Sequence, residues 1–558
     1  MTQDVWGDRL VLPPVESRAR YRDAGEWSDD PLPRRFHASA DRFADRLAVI
    51  TTRAEYSYGE LDRRTDQIAA GLHDLGLRPH DPVIFQVTNR AETVLAWYGC
   101  LKAGLIPVAT LAAHRMHEIG HVAEAVGARA HLVEAGTKFD LVAFADDVRT
   151  ARPTMEFVLT IGEDDVAAGR RRIEDLGNDI APARARRLVE EIEESLDPLD
   201  VAVFQLSGGT TGVPKVIPRL HAEYWDNGRL YAQCLGWTEE TRVAHLIPLT
   251  HNAGVSCALH AAHSVGAALV LADPDPVPAF ELMARSRATD ALFGHGHFQA
   301  LLLDEFAPAR ETLRRSVLSG SKVPPEIFDA VDDDVRWAGQ MFGMGEGLFL
   351  VSPLDSPRES RLTTVGQPIA TTDEYRIVEP GTETDLPDGK VGELVCRGPY
   401  TISGYYNAPE HNGRAFTSDG YYRTGDLASV RVIEGRRYVS IEGRMKDLIN
   451  RGGEKINAEE LEKLLLSHPD IAEAAVVAMP DPRLGERTCA YLVATDDRGE
   501  LTLAQVQEHL DGLGVAKFKW PERLEWVPAL PRTNVGKINK VSLRADIADR
   551  LTQTGNRP

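Results

Sequence analysis

Between residues 58 and 109 the chain alternates twice between a helical and a strand-like pattern. No other stretch of its 558 residues narrows the possible folds as far. From Tyr58 to Gly76, the residues Leu61, Ile68, Leu72 and Leu75 recur at helical spacing, which predicts a helix closed by Gly76. Pro82 to Val87 reads as a buried strand, followed by a helix from Ala91 to Ala103 and a strand from Leu105 to Ala109. Repetition of this kind predicts an α/β architecture of mainly parallel, helix-covered sheets. The chain is too long for one core, so several domains or subdomains are expected.

The clearest boundary falls near Gly443-Arg-Met-Lys-Asp447, which predicts a large domain over residues 1–445 and a small α+β lobe over 446–558. Before it, Gly420 to Ser429 reads as short strands and turns. After it, Asn457 is placed to cap a helix, with Glu460 closing a capping box and Leu461, Leu464 and Leu465 on one face. Strands over 472–479 and 489–494 and a helix over 503–513 follow. The charged segment from Asp164 to Pro198 reads as a solvated helix and connection.

Composition limits the partners. A net charge of −21 argues against nucleic acid, whose phosphates need compensating Lys and Arg. It leaves room for a nucleotide, which needs only a local pocket of donors. The best apolar run, Val265 to Ala272, is too short to span a bilayer. Met1 to Asp8 has no basic region leading into an apolar stretch, so a cytoplasmic protein without membrane contact is expected. The five scattered cysteines (100, 234, 257, 396 and 489) read as reduced thiols.

An apolar run from Val201 to Leu206 leads directly into Ser207, Gly208, Gly209, Thr210, Thr211, Gly212, Val213, Pro214 and Lys215. Glycines let successive amide N–H groups converge into a nest that attracts phosphate, and the hydroxyls and Lys215 add donors and charge. The nucleotide P-loop is a different pattern, because Pro214 precedes the lysine here. An ordinary Gly-rich turn has the same composition. The phosphate reading is favoured by four further motifs: Gln340 to Gly347, Tyr422 to Asp426, Gly443 to Asp447, and Pro531 to Lys537.

In this order and spacing, the five motifs resemble the adenylate-forming (ANL) superfamily, which includes acyl-CoA synthetases, peptide-synthetase adenylation domains and luciferases. The likeness covers almost the whole chain. Arg20 to Asp29, His251-Asn252, Arg397 to Tyr406 and Asn450 to Ile456 resemble more closely the stand-alone aryl-acid adenylating enzymes, which activate 2,3-dihydroxybenzoate or salicylate in siderophore assembly.

The chemistry explains the residue types. A carboxylate is a poor acylating agent because its leaving group would be oxide. Attack on the α-phosphorus of ATP gives a mixed anhydride that can lose AMP, and preorganised donors with a metal ion stabilise the developing phosphate charge. The resemblance implies that Ser207 to Lys215 hold the β and γ phosphates and that Glu346 ligates Mg²⁺, a hard ion suited to one carboxylate plus phosphate oxygens. It implies that Asp426 accepts the ribose hydroxyls and that Phe342 and Gly343 lie near the adenine, with Gly320 and Ser321 on the other side. Arg444 would join the nucleotide site. Lys537 would bridge the acid carboxylate and the α-phosphate, although alone it reads as a solvated lysine in a Pro/Gly/Asn turn. Lys446 would be the hinge, and Gly452 and Gly453 would let a pantetheine arm pass.

For the acid, the resemblance places His251, Asn252, Ala253, Cys257, Gly320 and Phe349 around the substrate, with His251 also in the catalytic set. Asn252 would hydrogen-bond an ortho hydroxyl. Cys257 stands where dihydroxybenzoate enzymes carry serine, which favours salicylate-like acids over 3-hydroxylated ones. Ala253 replaces an aromatic and opens space, for a methylated salicylate or a bicyclic acid, while Phe349 refills part of it. Gly345 replaces an alanine and adds loop freedom. His295 and His297, in a segment without its usual prolines, read as structural rather than metal-binding.

The implied acceptor is the phosphopantetheine of a carrier protein or, alternatively, free coenzyme A. Lys517, Lys519, Arg523 and Lys540 could meet an acidic carrier helix or a nucleotide 3′-phosphate. A non-catalytic scaffold is opposed by the retention of Lys215, Glu346, Asp426 and Lys537.

Overall fold

The computed structural model describes residues 5–162, 170–207, 214–320, 322–451, 454–481, 484–495, 499–513, 515, 517–533 and 536–555. Ser57 caps the helix Tyr58–Asp74 through a capping box with Glu60, and Gly76 follows it at φ +104°. The strand Pro82–Gln86, buried throughout, the helix Ala91–Lys102 and the strand Ile106–Ala109 complete the expected alternation. The chain divides into two compact units, residues 1–375 with 396–422, and residues 376–395 with 423–558. The boundary expected at 445/446 lies inside the second unit.

The first unit is built on two sheets. Among the described residues, one has seven strands in the order Arg170–Arg172, Phe157–Ile161, Ala130–Glu134, Pro82–Gln86, Ile106–Ala109, Val201–Leu206 and Val216–Leu220. All neighbours are parallel except the last pair, a hairpin. The other has nine strands, with a parallel centre that includes Arg242–His245, Asp290–Gly294, Arg315–Ser319 and Trp337–Met344. Antiparallel strands close both of its edges. Large aromatics fill the interior. Phe36 stacks on Tyr98 with ring centroids 3.8 Å apart, and Trp97 is fully enclosed.

A buried ionic cluster joins four helices of this unit. Lys102 Nζ donates to Asp62 Oδ1 (2.6 Å) and Asp66 Oδ1 (2.7 Å), and His37 Nε2 lies 3.1 Å from Asp66 and 3.2 Å from Asp62. His37 Nδ1 faces Glu193 at 2.8 Å, and Arg186 pairs with both aspartates. Arg186 and Glu193 belong to the helix Pro182–Ser195, within the segment expected to be solvated. One face of that helix instead completes an internal charge balance. Residues 163–169 of the segment lie outside the described residues.

The second unit carries a four-stranded sheet, Glu374–Val378, Gly392–Arg397, Tyr422–Ile433 and Arg436–Arg444, and a five-stranded one. Tyr422–Ile433 is a single strand of 12 residues where short strands and turns were expected, because it pairs along most of its length with Arg436–Arg444. The second sheet contains Leu448–Arg451, Glu454–Asn457, Ile471–Asp481 and Gly485–Ala494, with Arg523–Trp526 parallel to the last. Helices Ala458–Leu466 and Leu503–Gly512 match expectation closely. Asn457 caps the first by accepting from Glu459 N, but the expected capping box does not form. Glu460 instead takes Lys519 at 2.7 Å.

Among the described residues no helix is long and apolar enough to cross a membrane. All five cysteines are free thiols, and burial pushes Cys234 up to about 11 and Cys489 up to about 12.

Candidate functional site

Parallel sheets gather function at the carboxyl ends of their strands, where loops emerge together. Four adjacent strands of the nine-stranded sheet do this here. Arg242–His245 is followed by His251 and Asn252, Asp290–Gly294 by His295 and His297, Arg315–Ser319 by Gly320, and Trp337–Met344 contains Phe342 and ends just before Glu346. Gly320 takes φ +100°, a conformation that favours glycine. Phe342 is half-buried and pairs with Leu350 across the edge.

The turn bearing Glu346 is held from behind. Arg219, 1% exposed, donates to Gly345 O and Tyr400 O (both 2.9 Å) and pairs with Glu223 at 2.7 Å. Ile402 N donates to Glu346 O at 2.8 Å. A Cβ on Gly347 (φ +124°) would lie 2.2 Å from Tyr400 O, so close backbone approach demands that glycine. Leu348 follows at φ 49°, a buried non-glycine residue in the left-handed region. At Gly345 a Cβ would meet Ile217 Cδ1 at 2.9 Å. Ile217 therefore occupies the space an alanine would use.

Glu346 Oε1 accepts from Tyr405 OH at 2.7 Å, and Tyr405 OH also contacts Tyr422 OH at 2.8 Å. Burial, then the Glu346 charge, pushes the Tyr405 phenol far above its ordinary value, so it remains a neutral donor. Lys215 Nζ stands 5.0 Å from the centroid of the same ring. Tyr405 thus joins the two chain segments that carry Lys215 and Glu346. The neck of the Gly-rich loop is pinned by Lys215 N donating to Ser207 Oγ and Ser207 N donating to Lys215 O, both 3.0 Å. Gly208, Gly209, Thr210, Thr211 and Gly212 lie outside the described residues, as do Ser321, Gly452 and Gly453.

Asn252 is buried and connected. Its amide nitrogen donates to Met344 O at 3.1 Å, two residues before Glu346, and its oxygen accepts from Tyr224 OH at 2.8 Å. Gln205 Nε2 donates to both Tyr224 OH (3.0 Å) and Thr250 O (3.2 Å). His251 is exposed and caps the short turn Asn252–Gly254, its Nδ1 accepting from Ala253 N at 3.2 Å. Cys257 sits fully buried in a π-helical turn, Val255–His260, and burial pushes its thiol up. Phe349 and Cys257 share one apolar cluster, with Ala253 packed at its margin. Phe349 also fills the space beside Gly343, where a Cβ would lie 3.2 Å from its ring.

His297 is buried, with Nε2 3.3 Å from Pro274 O, and burial lowers it. Among the described residues the histidines at 295 and 297 gather no set of metal ligands. The ligand-like group is His37, Asp62 and Asp66, where the Lys102 ammonium already sits.

In the second unit, Asp426 is 2% exposed and lies opposite Arg444, whose Nε is 2.6 Å from Oδ1. Lys537 stands on a tight turn in which Thr533 N donates to Lys537 O at 2.7 Å. Its ammonium is lowered from the ordinary value, first by desolvation and then by Arg444, with Asp426 opposing. The residue is exposed overall, so solvent screening keeps that effect modest. Lys446, also exposed, is lowered by desolvation and by Arg444. The structure thus brings Asp426, Arg444 and Lys537 together. Three of the four basic residues considered for the acceptor are already paired, Lys519 with Glu460, Arg523 with Glu525 and Lys540 with Glu462.

Sequence reasoning missed Tyr405, Arg219, Tyr224 and Gln205. Tyr405 stands inside the motif Arg397 to Tyr406, and Arg219 lies just beyond the Gly-rich segment that ends at Lys215. Gln205 was visible as the one amide in an apolar strand.

Residues 36–406 match the family model described as AMP-binding enzyme, and residues 460–537 match that of the AMP-binding enzyme C-terminal domain. Pyochelin synthase PchD of Pseudomonas aeruginosa is 38% identical over 532 residues, covering 94% of each chain. A salicylyl-CoA synthase / salicylate adenylyltransferase of Streptomyces sp is 37% identical, covering 95% of this chain and 96% of that protein. Among solved structures, apo MbtA of Mycobacterium smegmatis superposes with a TM-score of 0.73 at 35% identity, covering 98% of this chain and 100% of that one.

Proposed function

Because this chain belongs to the AMP-binding, adenylate-forming enzyme family, we propose that it activates a 2-hydroxyaryl carboxylic acid of the salicylate type and passes the acyl group to the phosphopantetheine thiol of a carrier protein. Enzymes of this family are AMP-forming ligases that use ATP with Mg²⁺ and a pantetheine thiol, on a carrier protein or in CoA. The single observation that carries the substrate reading is the hydrogen bond from Asn252 to Met344 O. It sets the amide that would read the acid's ortho group beside the turn that bears Glu346.

In the proposed reaction an acid carboxylate oxygen attacks the α-phosphorus, the α–β P–O bond breaks, and pyrophosphate leaves. A thiolate then attacks the acyl carbon and expels AMP, the thiol proton passing to solvent. Lys215 and the pinned loop neck at Ser207 would hold the β and γ phosphates. Asp426 would take the ribose hydroxyls, and Lys537 would neutralise charge on the carboxylate and α-phosphate. Glu346 fits a hard cation, since one carboxylate oxygen is positioned by Tyr405 and the other has no partner among the described residues. Mg²⁺ bound there would neutralise phosphate charge.

The test is acid-dependent ATP–pyrophosphate exchange, without acceptor, across benzoate, salicylate, methylsalicylates, 2,3-dihydroxybenzoate and hydroxynaphthoates. Exchange strongest with a 2-hydroxyaryl acid supports the reading. No exchange with any of them, in folded protein that binds ATP, overturns it.

A further inference from the structure

Two backbone carbonyls fix the direction of every hydrogen bond around Asn252. A carbonyl only accepts, so the Gln205 atom 3.2 Å from Thr250 O is the NH₂ nitrogen, and its other N–H goes to the Tyr224 oxygen. The Tyr224 hydroxyl proton is thereby directed to Asn252 Oδ1 at 2.8 Å, where Ser256 Oγ also lies at 3.5 Å. At the far end Met344 O accepts from Asn252 Nδ2, so the amide cannot be turned over without setting its oxygen against a carbonyl. Gln205 donates both to Thr250 O and into a relay that runs one way, through Tyr224 and Asn252, to Met344 O. It leaves one N–H of Asn252, in a residue 6% exposed, without a partner among the described residues.

The geometry points to Gln205 and Tyr224 as positioning residues that lock Asn252 as a hydrogen-bond donor, so that the site selects aryl acids with a lone-pair acceptor ortho to the carboxylate. This rests on the aryl-acid reading above and refines it. Salicylate qualifies because its phenolic proton can be given to its own carboxylate, leaving only lone pairs facing outward. A ring nitrogen qualifies too, as in picolinate. Anthranilate does not, because its amino group offers protons and its lone pair is delocalised into the ring. A buried N–H facing another N–H remains unsatisfied, which is how polar sites reject near-isosteres.

The experiment compares salicylate, picolinate, benzoate and anthranilate by ATP–pyrophosphate exchange, in the wild-type chain and in Tyr224→Phe and Gln205→Leu. Wild type should use salicylate at least about tenfold better than anthranilate in kcat/KM, and picolinate better than benzoate. In Tyr224→Phe the salicylate-to-anthranilate ratio should fall several-fold through the KM for the acid, with the KM for ATP unchanged. Gln205→Leu should move the ratio the same way by less. Equal losses on every acid would mean a merely structural role, and wild-type preference for anthranilate would refute the donor assignment. If a variant fails to fold, the wild-type order of picolinate and benzoate still decides. No exchange with any acid would instead remove the aryl-acid reading itself.

Discussion

Two clusters of the first unit bring carboxylates and cations together, with opposite outcomes. Around His37, three carboxylates (Asp62, Asp66 and Glu193) meet two fixed cations, Lys102 and Arg186. Both ring nitrogens of His37 face carboxylate oxygens, an arrangement that favours the imidazolium, and with that charge the local sum is zero. Around Glu346, one carboxylate receives one tyrosine hydroxyl, and Lys215 stands over the ring of that tyrosine, with no ion pair among the described residues. The first cluster carries its own cations, and its ligand-like geometry is already used by an ammonium. The second keeps unspent charge at the carboxyl ends of parallel strands. Gathered acidic groups mark a ligand site only where the protein has not neutralised them itself.

The largest expected effect is on folding. Lys102→Met leaves two buried aspartates short of a cation and should cost about 3–5 kcal/mol in a denaturant titration. Activity per folded molecule should persist. A loss of activity with stability intact would dissolve the contrast between the clusters.

Glu346→Gln should behave in the reverse way. Exchange should fall by about 10²–10³-fold while the thermal midpoint stays near wild type. A large stability loss would mean that Glu346 is a structural partner of Tyr405 and nothing more.

The smallest effect concerns pH. Burial and Lys102 push His37 down, but Asp66, Glu193 and Asp62 carry it above its ordinary value. A group raised in the folded state contributes stability that is fully present below its unfolded value, about 6.5, and is lost as pH rises through its folded value. The thermal midpoint of the wild type should therefore fall across that window, with a flatter profile in His37→Gln. An unchanged slope in the variant would show that His37 is not the titrating group.

What was legible in the sequence follows the range of the forces involved. The helix Tyr58–Asp74 announces itself because its cap, apolar face and terminal glycine are all local. The motif positions Glu346, Asp426 and Lys537 were legible through family resemblance, and the structure gathers Asp426 with Lys537. The ionic cluster was invisible, since His37, Asp66, Lys102 and Glu193 are far apart in sequence and each reads as an ordinary surface residue. Local reasoning also erred at Glu460, where a capping box was the nearest use for a carboxylate but Lys519, 59 residues on, takes it. The segment Arg20 to Asp29 supported the family resemblance, yet its visible work is structural. Glu26 accepts from Thr371 and Thr372, Trp27 donates to Pro399 O, and Arg20 joins Arg397 and Tyr421 on Glu374, holding that carboxyl down to about 2.

The most direct test of the central claim is to incubate the full chain with ATP, Mg²⁺ and salicylate, without any thiol acceptor, and identify the acid-stabilised products by mass spectrometry. The expected products are salicyl-AMP and an equal amount of pyrophosphate, on the order of one per enzyme molecule if the adenylate is held until a thiol arrives. Formation of ADP, or release of pyrophosphate with no aryl-adenylate, would contradict it.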